Sequence, residues 1–241
     1  EIIASSTQSD GMDVPQFGGK RKLGLPITYL ELAAGVLDPE VLRRVEAIAQ
    51  QSNCVGCDGR GLAEAIAKSL PYGCSYAERR RMPPQNKFAV PDDRATPGTI
   101  DVRRPPAGTR ATCMPTVINM FAQWEMGAAL KYNRVKPAPL DSKRQREAWF
   151  EECLDAISGL RPRISSIAFP HQIGCGLAGG DWGRYEGMIK LFAQKNPAIE
   201  VVICVLKGGG LTAGRAGPSS RGGKSSAPGR PSHSASSGSA S

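Results

Sequence analysis

The chain has 241 residues, 40% of them hydrophobic, and a formal net charge of +9. This length is enough for one sizeable domain with its own core, and no apolar run approaches the ~20 residues of a membrane-spanning helix. The start of the chain lacks the basic and apolar regions of a secretory leader, and the seven cysteines form no disulfide framework. We therefore predict an intracellular protein, cytoplasmic or nuclear, without a membrane anchor.

Strand and helix patterns alternate through the middle of the chain. Short apolar runs predict strands over 27–32, 45–50, 99–102, 116–121, 164–169 and 199–206. Amphipathic spacing predicts helices over 39–44, 61–70, 142–160 and 185–194, with Asp38 as the N-cap of the first. This alternation predicts an α/β fold with a sheet covered on both faces, and ligands of such folds bind beyond the carboxyl ends of the strands.

Composition divides the chain into three parts. Residues 1–24 are polar and glycine-containing, which predicts an irregular N-terminal arm. Residues 25–207 carry the strand and helix patterns of one domain, with a proline- and arginine-rich insertion at about 76–97. Residues 208–241 are rich in Gly, Ser and Arg and nearly free of aliphatic side chains, which predicts a disordered tail. The tail is basic enough to contact nucleic acid, but a nucleic-acid function is not predicted.

Two glycine-rich loops each follow a predicted strand and precede a predicted helix. We call residues 53–61 loop 1 and residues 171–181 loop 2. A glycine loop that opens a helix presents bare backbone N–H groups and the positive end of the helix dipole, both of which suit a phosphate. Two such loops at one sheet edge predict a phosphate-bearing ligand more strongly than either alone.

These loops resemble those of the macro domain family. The stretch from Gly174 to Trp182 is similar to the family's second phosphate loop, and Asn53 with the run 59–63 is similar to its first ligand loop. The strand at 117–123 resembles a central strand of the branch that contains ADP-ribose-1″-phosphate phosphatases. The resemblance covers about 25–207 and implies a three-layer α/β/α sandwich with a mixed central sheet.

The same resemblance implies ADP-ribose, free or as a derivative, as the ligand. Its distal ribose would contact Asn53 and lie beside Gly59 and Gly61 of loop 1, and its diphosphate would lie in loop 2. The implied ligand-binding residues are Asn53, Gly59, Arg60, Gly61, Gln123, Ile173, Gly174, Cys175, Gly176, Leu177, Ala178 and Gly179.

Two positions depart from the family pattern. Many members have a Gly-Asp pair after the first strand that holds the adenine amine, whereas this chain has Gly35-Val36. One hydrolase branch uses a Lys on the central strand and an Asp in the second loop, and the matching residues here are Gln123 and Ala178. Neither side chain can form or resolve a covalent lysyl intermediate, so that mechanism is not predicted.

Three polar residues near the loops are predicted to be catalytic: Asn53, His171 and Asp181. An imidazole titrates near neutrality, so His171 is a candidate acid or base, while Asp181 can orient water and Asn53 can hold a sugar hydroxyl. Each also has a structural interpretation. His171 can cap the turn at its strand end, Asp181 can cap a helix, which is the favoured interpretation, and Asn53 can adopt a left-handed turn.

The cysteines suggest two further chemistries, both disfavoured. Cys54 and Cys57 form a lone C-x-x-C, and a zinc site would need two more ligands that no second Cys/His pair supplies. Cys175 stands in a phosphate loop at a helix start, but no Arg follows at the spacing of cysteine phosphatases. No metal and no cofactor are predicted.

Four functions remain open from the sequence. The first choice is an ADP-ribose 1″-phosphate phosphatase. The alternatives are a non-catalytic ADP-ribose reader, an ADP-ribosyl-protein hydrolase that uses a water-mediated route, and an RNA-associated protein that acts through its basic tail. The expected partner is ADP-ribose or an ADP-ribosylated molecule, and the expected state is a monomer.

Overall fold

The computed structural model describes residues 27–84, 87–108, 114–132, 134–136 and 138–208. The predictions of an irregular arm over 1–24 and a disordered tail concern residues outside these ranges, except for Gly208. No helix within the described ranges is long and apolar enough to span a membrane.

The described residues form six strands and four α-helices, in the order that the sequence predicted. The strands are β1 (Ile27–Leu32), β2 (Ala47–Asn53), β3 (Ile100–Arg103), β4 (Thr116–Gln123), β5 (Ser166–Pro170) and β6 (Glu200–Leu206). The helices are α1 (Pro39–Arg44), α2 (Leu62–Ser69), α3 (Lys143–Ser158) and α4 (Trp182–Lys195).

Some boundaries differ from the predicted ones by two or three residues, and two of these differences concern strands that carry candidate site residues. The prediction of a strand over 45–50 was wrong at both ends, because Val45 is the C-cap of α1 and β2 continues to Asn53. The predicted strand over 116–121 ended too early, since β4 reaches Gln123 by pairing with β2 across a bulge between Gln51 and Asn53. The β2 extension is Gln-Ser-Asn, which is polar throughout, so apolar patterning could not detect it.

The strands form one mixed sheet in the order β1-β6-β5-β2-β4-β3. Every pair is parallel except β3 with β4, which is antiparallel. Because β5, β2 and β4 are neighbouring parallel strands, their carboxyl ends meet at one edge of the sheet, where the loops that follow them also meet.

Two apolar clusters cover the two faces of this sheet. Ala47 and Ala49 of β2 point into the cluster that contains α3 and α4, whereas Ile48 points into the cluster that contains α1 and α2. In β6, Ile203 and Val202 divide in the same way. Alternate residues of one strand therefore serve opposite layers, which confirms the predicted three-layer α/β/α fold.

The predicted insertion at 76–97 is irregular but packed. It contains a 3₁₀ turn at Pro91–Asp93 and two isolated β-bridges, Gly56 with Phe88 and Arg81 with Ala89. The bridge to Gly56 places this segment directly against loop 1. It therefore belongs to the surroundings of the candidate site.

Candidate functional site

Three loops converge at the carboxyl ends of neighbouring strands. Loop 1 follows β2, residues 124–128 follow β4, and loop 2 follows β5. Below them, the Gln51 amide donates to the Gln123 side-chain oxygen at 2.9 Å. At the top, a Cβ on Gly179 would lie 3.3 Å from the Ala128 methyl. The predicted convergence of the two glycine loops therefore agrees with the sheet topology.

Loop 2 uses only some of its backbone N–H groups internally. The Cys175 N–H donates to the Gln172 oxygen at 2.9 Å, and the Gly180 N–H donates to the Gly174 oxygen at 3.0 Å. Within the described residues, no hydrogen bond engages the N–H groups of the run 176–178. Consecutive free N–H groups in a glycine turn are able to donate hydrogen bonds to an anion.

The glycines of loop 2 serve different purposes. Gly174 has φ +73°, and a Cβ there would lie 2.5 Å from the Gln51 side-chain oxygen and 2.6 Å from the Tyr185 ring. Gly176 has no atom within 4 Å of the corresponding position. Gly174 thus lets loop 2 pack closely against Gln51 and Tyr185, whereas the Cβ position of Gly176 faces open space.

Loop 1 ends in a helix start without a side-chain cap. Asp38, Ser142 and Asp181 cap α1, α3 and α4 through side-chain oxygens, whereas α2 begins after Gly61, which has φ +59° and ψ −123°. Only glycine adopts that conformation readily. Arg60, one residue earlier, is exposed and forms no ion pair among the described residues.

The predicted catalytic residues occupy three different environments. Asn53 is buried, its oxygen accepts from the Gly56 N–H at 2.5 Å, and its amide donates to the Tyr76 hydroxyl at 3.2 Å. Asp181 accepts from the Arg184 N–H at 3.2 Å, which is the N-cap arrangement favoured from the sequence. No hydrogen bond or ion pair within the described residues joins the His171 side chain to either of them.

His171 lies at the end of β5 and packs against Trp182, with ring centroids 4.7 Å apart. Within the described residues its imidazole forms no hydrogen bond. Burial lowers the pKa of His171 from 6.5, and nearby Glu186 only partly opposes the shift. At neutral pH the ring is therefore neutral and able to accept a proton.

Both polar atoms of the Gln123 side-chain amide form hydrogen bonds. Its oxygen accepts from Gln51, and its nitrogen donates to the Glu125 backbone oxygen at 3.3 Å. The side chain therefore fixes the end of β4 relative to β2.

A buried ion pair, which sequence reasoning missed, fastens loop 2 to its neighbours. Arg146 of α3 pairs with Asp141, with side-chain exposures of 3% and 8%. The same guanidinium donates to the Gly127 oxygen at 2.7 Å and to the Ala178 oxygen at 3.4 Å. An acid five residues before a basic residue at a helix start is the only sequence signal, and it is a common pattern.

Cys175 is unsuited to nucleophilic catalysis. Burial, with a smaller contribution from Asp181, raises the pKa of its thiol to about 12. A thiol is unreactive in this state because the thiolate is the nucleophile. We expect Cys175→Ser to leave ligand affinity and any turnover within about twofold of the wild type, which corresponds to less than about 0.5 kcal/mol.

The measurements are titration calorimetry and a phosphate-release assay on both proteins. Cys74→Ser is a suitable control, since Cys74 lies outside both loops. A loss of turnover above tenfold in Cys175→Ser alone would show that the thiol takes part.

No group of three or more metal-ligating side chains occurs in the described part of the chain. Cys54 and Cys57 are both buried, and burial raises the pKa of each thiol. Raised thiol pKa values oppose metal binding, because metal ligation requires the thiolate.

Comparisons with known proteins place macrodomains among the matching solved structures. The macrodomain of Thermus aquaticus DarG is 19% identical, covers 73% of this chain and 96% of that chain, and gives a TM-score of 0.49. The macrodomain of Mycobacterium tuberculosis DarG is 25% identical, covers 75% and 97%, and gives a TM-score of 0.46. The GDAP2 macro domain is 13% identical, covers 74% and 76%, and gives 0.39.

No protein-family model and no curated protein matches the chain. The three structures are named as macrodomains, which is the family whose motifs loop 2 and the strand at 117–123 resemble.

Proposed function

We propose that this domain binds ADP-ribose, free or attached to another molecule, and acts as a reader of that group. The observation that carries the proposal is the run of N–H groups at 176–178, which no described residue engages and which faces open space beside Gly176. A diphosphate supplies the oxygens and the negative charge that such a concave site favours. The resemblance to the macro domain family is the reason for proposing that the diphosphate belongs to ADP-ribose, with an adenosine on one side and a distal ribose on the other.

The polar side chains favour a reader over an enzyme. The side-chain oxygen of Asn53 is bonded to Gly56, Asp181 caps α4, and Gln123 is bonded at both ends of its amide. A hydrolase must orient a water molecule and move a proton next to the reacting atom. Side chains that are already engaged in holding the fold are poorly placed for either task.

Titration calorimetry with ADP-ribose tests this proposal directly. We expect saturable binding by the wild type and no consumption of ADP-ribose 1″-phosphate or of ADP-ribosylated protein at micromolar enzyme. Absence of binding at millimolar ADP-ribose would reject the proposal. Catalytic consumption of either compound would replace the reader by an enzyme.

A phosphatase acting on ADP-ribose 1″-phosphate is the second candidate, and His171 favours it. Its neutral imidazole, without a hydrogen bond to any described residue, lies one residue beyond β5 at the entry to loop 2. If this ring is the general base, the rate should fall as the pH decreases through a pKa below 6.5 and should be lost in His171→Gln. Phosphate release that is unchanged in His171→Gln would exclude that role.

A further inference from the structure

Tyr76, in the segment that follows α2, contacts Asn53, the first residue of loop 1. Tyr76 is buried, and its hydroxyl oxygen accepts from the Asn53 backbone N–H at 3.1 Å and from the Asn53 side-chain amide at 3.2 Å. One phenol oxygen thus holds both the main chain and the side chain of Asn53. These contacts fix the direction in which loop 1 leaves β2.

Arg79 holds the same turn from its carbonyl side. One of its terminal nitrogens donates to the Asn53 oxygen at 3.1 Å and to the Gly56 oxygen at 2.7 Å. Its guanidinium also lies 4.9 Å from the centre of the Tyr76 ring and 5.4 Å from that of Phe121. Two backbone oxygens and two aromatic rings therefore surround this cation.

No carboxylate among the described residues forms an ion pair with Arg79, unlike Arg80, Arg81 and Arg103 nearby. Burial lowers the pKa of Arg79. Placing a cation in a half-buried position without a counter-ion is unfavourable unless its hydrogen bonds offset the desolvation. The bonds that do so here are those to the loop 1 carbonyl oxygens.

We infer that Tyr76 and Arg79 are positioning residues for ADP-ribose binding, which act by fixing the Asn53–Gly56 turn of loop 1. The inference rests on the proposed function and assigns these residues to the distal-ribose half of the ligand. The diphosphate half depends on loop 2, which neither residue contacts within the described part of the chain. The affinity for a ligand that lacks the distal ribose should therefore not change when Tyr76 or Arg79 is replaced.

Binding of ADP-ribose and of ADP to matched variants tests the inference. In Tyr76→Phe the ring packing remains while the hydroxyl acceptor is lost, so we expect about tenfold weaker binding of ADP-ribose and an ADP affinity within about twofold of wild type. Tyr72→Phe is the matched control, because Tyr72 donates to the Pro115 oxygen at 2.6 Å, away from both loops. It should change neither affinity.

Arg79 supplies the second variant and the conservative rescue. Arg79→Gln should weaken ADP-ribose binding more than ADP binding, and Arg79→Lys should restore part of the difference because an ammonium can still donate to the carbonyl oxygens. Equal losses for both ligands would indicate a merely structural role and overturn the inference. Unchanged ADP-ribose binding in folded Tyr76→Phe and Arg79→Gln would also overturn it, whereas a wild type that binds neither ligand would reject the proposed function itself.

Discussion

Replacement of Gly176 by Phe is expected to weaken ADP-ribose binding by about 100-fold or more, which corresponds to at least ~2.7 kcal/mol of binding free energy. The reason is steric, since a side chain at this position projects into the space next to the free N–H groups of loop 2. Apart from its chain neighbours, no described atom lies within 4 Å of the Cβ position, so a side chain can leave the backbone here without a clash. Titration calorimetry gives the affinity, and thermal unfolding shows that the domain remains folded.

Gly187→Phe is the control for this variant. Gly187 lies on the exposed surface of α4 and also has no described atom within 4 Å of its Cβ position. It should bind ADP-ribose like the wild type. If Gly176→Phe binds equally well, the ligand does not occupy loop 2 and the proposed function loses its main support.

Replacement of Arg146 by Met is expected to lower the free energy of unfolding by about 3–5 kcal/mol. The variant leaves the buried Asp141 carboxylate without its partner and removes donors from the Gly127 and Ala178 oxygens. Urea unfolding followed by circular dichroism measures the loss. Because Arg146 fastens loop 2, weaker ADP-ribose binding should accompany the loss of stability.

Two further variants distinguish the cost of leaving a buried charge unpaired from the cost of removing any arginine. Arg184→Met removes an ion pair to Glu147 in which the Arg184 side chain is 66% exposed, and it should cost less than about 1 kcal/mol. Arg146→Met combined with Asp141→Leu should recover part of the stability, since no unpaired charge then remains buried at this pair. A loss below about 1 kcal/mol in Arg146→Met would contradict the role given to this pair.

Local patterns carried most of the fold prediction. The strand at 27–32 and the helix at 39–44 with its Asp38 cap match the observed elements, because apolar periodicity and capping act over a few residues. The glycine requirement of loop 2 is equally local, as the positive φ of Gly174 shows. By contrast, apolar spacing missed the polar end of β2, because the strand character of Asn53 comes from its pairing with Gln123 of β4.

The hydrogen bonds of the candidate site residues involve partners that are distant in the sequence. Asn53 was predicted to contact the ligand, yet only the fold brings Tyr76 and Arg79, 23 and 26 residues away, onto its side chain and carbonyl. Gln51, which lies under Gly174 and bonds Gln123, carried no sequence signal at all.

The sequence by itself determined the order of strands and helices and the positions of the two glycine loops. These properties follow from the conformational limits and hydrophobic spacing of neighbouring residues. Only the tertiary structure decided which N–H groups of loop 2 stay free of the described residues and which polar side chains are already engaged. A hydrogen bond depends on the distance between its two groups in space, and the chain sets that distance only once the sheet has formed.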